Sequence, residues 1–174
     1  LSDCMEQQDS AGGVIECRIE HLPVGIGEPV FSKLDATLAK AIMSIGAVKA
    51  VEIGDGFSVS SALGSQNNDA FCLDKNGHIS KSTNHSGGIL GGMSDGDTVI
   101  LRAAFKPTPS IAKVQNTVTK QGEATTLSIT GRHDPVIVPR AVVVVESMAA
   151  LTVLDLMFSN MHSNLDGILN FYKK

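Results

Sequence analysis

Tryptophan is absent from these 174 residues, tyrosine occurs once, and aromatics together make up only 4%. The core must therefore be aliphatic, and the stacking platforms that hold unpaired bases are missing. Charge is also sparse, at 18% of residues, and its balance is negative, −4 at pH 7 with a pI near 5.7. That argues against a dedicated nucleic-acid binder, although a few cations converging on one pocket can still hold an anionic small molecule. The three cysteines, Cys4, Cys17 and Cys72, are an odd number without C-x-x-C spacing. They fit neither a disulfide framework nor a zinc site, and they point to a reducing compartment. Long hydrophobic runs are missing as well, since the apolar stretch near the C-terminus stops at Glu146, short of a bilayer span. No signal peptide is visible. The chain begins at Leu1 and not at Met, which reads as upstream sequence lost.

What is present is a globular composition, 43% hydrophobic, with room for one domain and a real core. Leu1 to Ser10 is polar and reads as frayed. Val14 to Ile19 follows Gly12-Gly13 and reads as a strand, and Leu22 to Pro29 as a Pro- and Gly-rich loop. From Phe31, the spacing of Leu34, Leu38, Ala41, Ile42 and Ile45 predicts a helix that ends near Gly46, where glycine is a common stop. Val48, Val51 and Ile53 predict a short strand closing at Gly54-Asp55-Gly56. Ser60 to Gly88 is long, polar and without periodicity, the signature of a functional or disordered loop. Thr98 to Phe105 and Glu123 to Thr130 read as further strands. The last helix is expected from about Val136 to Asn160, with Pro139 in its first turn. That helix is apolar on nearly every side, so it should be buried on more than one face. The few strands here cover one side at most, so a second layer is expected from a missing half or another subunit.

Several motifs carry chemistry, and each has a plain structural alternative. Asn84 to Gly92 packs four glycines into six positions, which suits a ligand cradle and equally a tight backbone crossing. No Gly-Lys-Ser/Thr follows, so it is not a phosphate-binding Walker sequence. Lys106-Pro107-Thr108-Pro109-Ser110 joins a cation and two hydroxyls on a stiffened loop, a phosphate holder or an ordinary strand exit. Arg132-His133-Asp134-Pro135 puts a donor, an imidazole and a carboxylate near a helix N-terminus, where anions are favoured. The plain alternative makes Asp134 a helix cap with Arg132 as its surface partner. Phosphoryl transfer to His133 would need a second cationic and acid-base group that nothing later in the chain supplies. His162 reads as solvated, and His21 and His78 lie in loops without metal-ligand spacing. Glu146 reads either as a buried functional carboxylate or as the partner of Arg140.

The order of these segments is more specific than any one of them. Asn84 to Gly92, Lys106 to Ser110, Gly131 to Pro135, Arg140-Ala141-Val142 and Glu146-Ser147-Met148 together resemble the C-terminal part of chorismate synthase. So do Gly25 to Phe31, Val51 to Phe57 and Gly64 to Asn67, and the likeness covers nearly all 174 residues. The resemblance implies an α+β fold with helices packed on antiparallel sheet, about one half of that family's β-α-β sandwich. It implies a lyase that converts 5-enolpyruvylshikimate 3-phosphate to chorismate by trans-1,4 elimination of phosphate and a ring proton, using reduced FMN. Flavin contacts are implied at Gly46, Ala47, Gly91, Lys106, Pro107, Thr108, Pro109, Ser110 and Arg132, and no metal. Asp134 is implied to lie near the flavin's reactive nitrogen and to manage its proton. A cytoplasmic homo-oligomer, a tetramer in the whole family, is implied too, with neither membrane nor nucleic acid as partner. Whether the flavin is reduced within the enzyme, at the expense of NADPH, or supplied from outside stays open.

Three positions depart from the family's pattern. Gly46 stands where Asn is frequent, Pro109 replaces a hydroxyl residue, and Val143 replaces a frequent Pro. The family's acid-base histidines, its Arg-Ser-Ser flavin segment and further substrate-binding arginines have no counterpart in the chain. Residues 1–174 are therefore expected to form a single domain whose N-terminal companion is absent, inactive alone and a weak binder of FMN. A non-catalytic flavin- or phosphate-binding module is the alternative.

Overall fold

The computed structural model describes residues 2–131 and 134–173. In chain order its elements begin with α1 (Ser2–Glu6), β1 (Gly13–Ile19), α2 (Leu34–Met43) and β2 (Val48–Ile53). A 3-10 turn (Gly56–Ser61), α3 (Gly64–Asn67) and the short strands β3 (Phe71–Leu73), β4 (Ile79–Lys81), β5 (Ile89–Leu90) and β6 (Met93–Ser94) follow. The chain then runs through β7 (Val99–Phe105), β8 (Gln115–Val118), β9 (Ala124–Leu127), α4 (Val138–His162) and α5 (Leu165–Tyr172).

β7 organises the fold. Its Val99, Leu101, Ala103 and Phe105 are buried while Ile100, Arg102 and Ala104 are half-buried, the alternation of a strand with one face on the core. It lies between β1 and β2, both antiparallel to it, with Glu16 and Glu52 each opposite Arg102. On the open face of the sheet, Arg102 donates to Glu16 at 3.0 Å and to the Gly54 carbonyl at 2.7 Å. On the covered face, α2 contributes Leu34, Leu38 and Ile42, spaced by four and without exposure. α4 adds Ala141, Val145, Ala149, Val153 and Leu156 to the same core. The fold is thus α+β, helices on one face of an antiparallel sheet.

Several local expectations change. The first ten residues are not wholly frayed, because Ser2–Glu6 is a helical turn. α2 stops at Met43, and the left-handed residue after it is Ala47 (φ 72°), not Gly46. The stretch 60–88 is not structureless: it holds the 3-10 turn's end, α3 and the β3–β4 hairpin. The strand expected at Glu123–Thr130 is β9, and its partner β8, polar and exposed, has no sequence signal of its own. α4 runs on to His162, with Pro139 in its first turn as expected. Glu146 interrupts the apolar run without ending the helix, so α4 is long and apolar enough by length and composition to cross a membrane. Here it packs one stripe against α2 and β1. The opposite stripe, with Val143 and Leu151 each more than 60% exposed and Phe158 at 56%, is left open among the described residues except at its Phe158 end, which faces α5.

Candidate functional site

The C-terminal end of β7 is where the candidate residues collect. β7 runs straight into Lys106, whose backbone N–H donates to the Ala47 carbonyl at 2.9 Å. Ala47 therefore reaches the loop through its backbone, held in a conformation that costs a non-glycine residue about 1–2 kcal/mol. The Lys106 and Pro107 side chains lie exposed beyond this junction, as does Pro109, while Thr108 and Ser110 turn partly inward.

The loop is stitched to Asp134 by residues that the sequence does not advertise. Ser10 donates through its hydroxyl to the Thr108 carbonyl at 2.6 Å, and the Ala11 N–H donates to the Pro135 carbonyl at 2.9 Å. Gly12 makes this possible. A Cβ there would overlap the Phe105 carbonyl oxygen and press on the Pro107 ring. Gly13 likewise lies against Val138 at the start of α4. The Gly12-Gly13 pair is the one signal for this contact, since paired glycines beside a strand mark close backbone approach.

Between these segments lies an open cavity of about 220 Å³, lined among others by Cys4, Gln8, Ser10, Ser110, Asp134 and Pro135. Asp134 Oδ2 is 2.6 Å from Arg140 Nη1 on the first turn of α4. This corrects two readings. Asp134 is not the helix cap, because Ile137 occupies that position with no side-chain cap. Arg140 pairs with Asp134 and not with Glu146, which is exposed further along α4. Glu146 instead faces Cys17, whose thiol pKa is pushed up by burial first and by that carboxylate second. Asp9, which also lines the cavity, accepts from the Ser10 N–H and from Lys113 Nζ at 3.1 Å, and both hold its carboxyl below the usual range. One polar atom is left over: Thr108 Oγ1 is buried with no hydrogen-bond partner among the described residues.

Arg132 and His133 lie outside the described residues, so the site as described comprises Ala47 with Gly46 beside it, Lys106 to Ser110, and Asp134. Gly91 is not with them. It forms the tip of the β5–β6 hairpin (φ 60°), next to Gly92, whose carbonyl accepts from the Leu34 N–H at the start of α2. Gly46 and Ala47 follow the other end of that helix, so roughly 15 Å of helix separates the two groups, at 1.5 Å per residue.

Known proteins resemble this chain over its whole length. The family model described as chorismate synthase matches residues 1–158. The chain is 63% identical, over its whole length, to 47% of the chorismate synthase of Lachnoclostridium phytofermentans. It is 62% identical, again over its whole length, to 47% of that of Agathobacter rectalis. A solved crystal structure of a chorismate synthase superposes with a TM-score of 0.73 at 30% identity, covering 92% of this chain and 41% of that one. The chain spans about half the length of the curated relatives it matches.

Proposed function

The chain belongs to the chorismate synthase family, and from that premise we propose that it supplies one wall of the active site of a 5-enolpyruvylshikimate 3-phosphate lyase that uses reduced FMN. The observation that carries the reading is that Ser110, at the end of the Lys106–Ser110 loop, and Asp134 line one cavity, with the Thr108 hydroxyl buried beside it in the loop and without a partner among the described residues. A buried hydroxyl without a partner costs about 1–3 kcal/mol, so a polar ligand that satisfies it is favoured. The residues present therefore fit an anionic flavin.

When bound, reduced FMN supplies the electron-rich ring on which the elimination depends. The chain's own residues bind and orient. The Lys106 ammonium, with Arg132, neutralises phosphate charge, and the Thr108 and Ser110 hydroxyls donate to its oxygens. Pro107 and Pro109 limit the freedom this loop has to lose on binding. Contacts at Gly46 and Ala47 are made by backbone. Asp134, oriented by Arg140, would take up and return the proton at the flavin's reactive nitrogen.

Residues 1–174 act in this reading as one domain, and a companion N-terminal half supplies the acid-base groups and the opposite wall. A cavity of about 220 Å³ is smaller than the roughly 300–1,000 Å³ of ordinary ligand pockets, so the chain alone binds FMN weakly and does not turn over. A homo-oligomer, with the tetramer as its assembly, is proposed from family membership. A cytoplasmic location accords with three free cysteines, and α4 is read as a core helix and not a membrane span.

The test is anaerobic assay of the complete gene product with 5-enolpyruvylshikimate 3-phosphate and reduced FMN, following chorismate and phosphate together. Equal release of both is expected. Phosphate without chorismate would make the protein a phosphohydrolase, and FMN binding without turnover would make it a non-catalytic module. FMN binding by residues 1–174 alone at micromolar or better affinity would overturn the need for a second half.

A further inference from the structure

The stretch 69–97 contains a polar cluster that the flavin reading leaves unused. The β3–β4 hairpin exposes its apolar side chains, Phe71, Leu73 and Ile79, each at least 70% accessible. What it buries is a cation. The Lys81 side chain is 3% exposed, with Nζ 2.7 Å from Asp95, 3.0 Å from Asp97 and 3.8 Å from Asp69. Burial alone would push the ammonium's pKa down, but the Asp95 and Asp97 carboxylates outweigh it and leave it raised.

Asp69, whose side chain is 4% exposed, accepts four hydrogen bonds: from Thr83 Oγ1 and the His85 N–H on one oxygen, and from the Ser86 N–H and Oγ on the other. Desolvation works to raise its pKa, and the bonds from Ser86, Thr83 and His85 together hold it far below the usual range. The two feet of the β5–β6 hairpin meet here. Ser86 enters it and bonds Asp69, while Asp95 leaves it, bonds Lys81 and donates its N–H to the Gly88 carbonyl at 3.1 Å. The body of this hairpin of two-residue strands is held by Ile89 in the core and by Ser94, bonded to Pro23 and Ile26, while its glycine-rich entry at Gly87-Gly88 has no side chains to pack. At that entry, charge-assisted bonds to Ser86 and Asp95 fix the feet.

We propose that Asp69 is a positioning residue for the glycine-rich hairpin that carries Gly91, acting through Ser86 and the buried Lys81. Its effect on flavin rests on the proposed role of Gly91, while the anchoring itself does not. The hairpin's surroundings have separate supports that keep the fold intact when this one is cut. His85 Nδ1 lies 2.6 Å from Asp55 Oδ2, and Asn84 bridges the Thr98 carbonyl and the Gly88 N–H at 2.8 and 2.7 Å.

The experiment uses the complete gene product and the variants Asp69→Asn, Ser86→Ala and Ser86→Thr, with amide hydrogen exchange and FMN titration read in parallel. Asp69→Asn and Ser86→Ala are expected to speed exchange across 87–92 about tenfold and to weaken FMN binding by a similar factor, the usual size of one lost charge-assisted bond. Exchange in β7 stays unchanged, and Ser86→Thr restores both readouts. Unchanged exchange across 87–92 in a folded variant overturns the anchoring. Faster exchange with unaltered FMN affinity overturns the positioning role. Wild-type protein that binds no FMN overturns the flavin reading, and exchange still decides the anchoring. Should Asp69→Asn not fold, Ser86→Ala carries the test.

Discussion

The Asp134 carboxylate lies 2.6 Å from the Arg140 guanidinium, across the turn that leads into α4. Arg140 is three-quarters exposed there, and ion pairs of that kind contribute about 0–1 kcal/mol to stability. Conservation of the fold therefore does not require the pair, whereas its geometry aims a carboxylate along the cavity wall. Asp134→Asn in the complete gene product is expected to leave the unfolding midpoint nearly unmoved. Turnover at saturating substrate should fall about 10²–10⁴-fold, the usual contribution of a positioned proton-transfer group. Full turnover in that variant would remove Asp134 from the mechanism.

Thr108 offers a test with opposite signs in two assays. Its hydroxyl is buried and unpartnered among the described residues, so Thr108→Val exchanges a polar burden for a methyl of similar size. Chemical denaturation of the flavin-free protein should show equal or greater stability, by up to about 1–3 kcal/mol. FMN titration of the complete protein should show weaker binding. Loss of stability together with unchanged affinity would mean that the hydroxyl serves the fold and not the flavin.

Gly12→Ala probes the join between the two halves of the site. Its Cβ would collide with the Phe105 carbonyl, and backbone has no rotamer to escape with. Overpacking of this kind costs about 1–3 kcal/mol. The variant should also loosen the neighbouring Ala11 N–H from the Pro135 carbonyl, which would appear as faster exchange of the Ala11 amide. A variant as stable as the parent would show that the two strands have room to part.

What the sequence makes legible follows from what holds each element. Val99 to Phe105 alternates and α2 repeats every four residues because each packs one face on the same core, and that periodicity is readable. The β3–β4 hairpin buries a lysine and exposes its hydrophobes, so the ordinary signal is inverted and the stretch reads as unstructured. β8 is polar and exposed, and only its pairing with β9 defines it. In the site, the Lys106 and Asp134 segments stand out by residue type. The Asp9 to Gly12 stitch does not, because it works through a hydroxyl, a backbone N–H and the lack of a side chain. The end of α2 misleads for a related reason: Gly46 looks like the stop, yet Ala47 takes the left-handed turn.

Acid stability should report on Asp69. Its folded pKa lies below the ordinary 3.8, so ionised Asp69 stabilises the native state at pH values above that figure. The contribution is lost as the pH falls from about 4 toward the folded value, where both states become protonated. Denaturation midpoints measured between pH 6 and about 2 should therefore drop less steeply for Asp69→Asn than for the parent. Parallel curves would place the acid sensitivity in other carboxylates.

The exposed stripe of α4 gives the sharpest contrast between this chain alone and the complete protein. Val143, Leu151, Leu154 and Phe158 share one side of the helix, opposite the buried Val145, Ala149 and Leu156. Because Leu151 is mostly exposed here, Leu151→Lys in residues 1–174 should change stability by no more than about 0.5 kcal/mol. The same substitution should reduce self-association of the chain in sedimentation, since an apolar stripe this long favours contact between copies. In the complete gene product the stripe is expected to be covered, and there the lysine should cost about 2–5 kcal/mol, as loss of a buried leucine does. An equally mild effect in both proteins would mean that α4 keeps this face open, and the second layer over it would have to be abandoned.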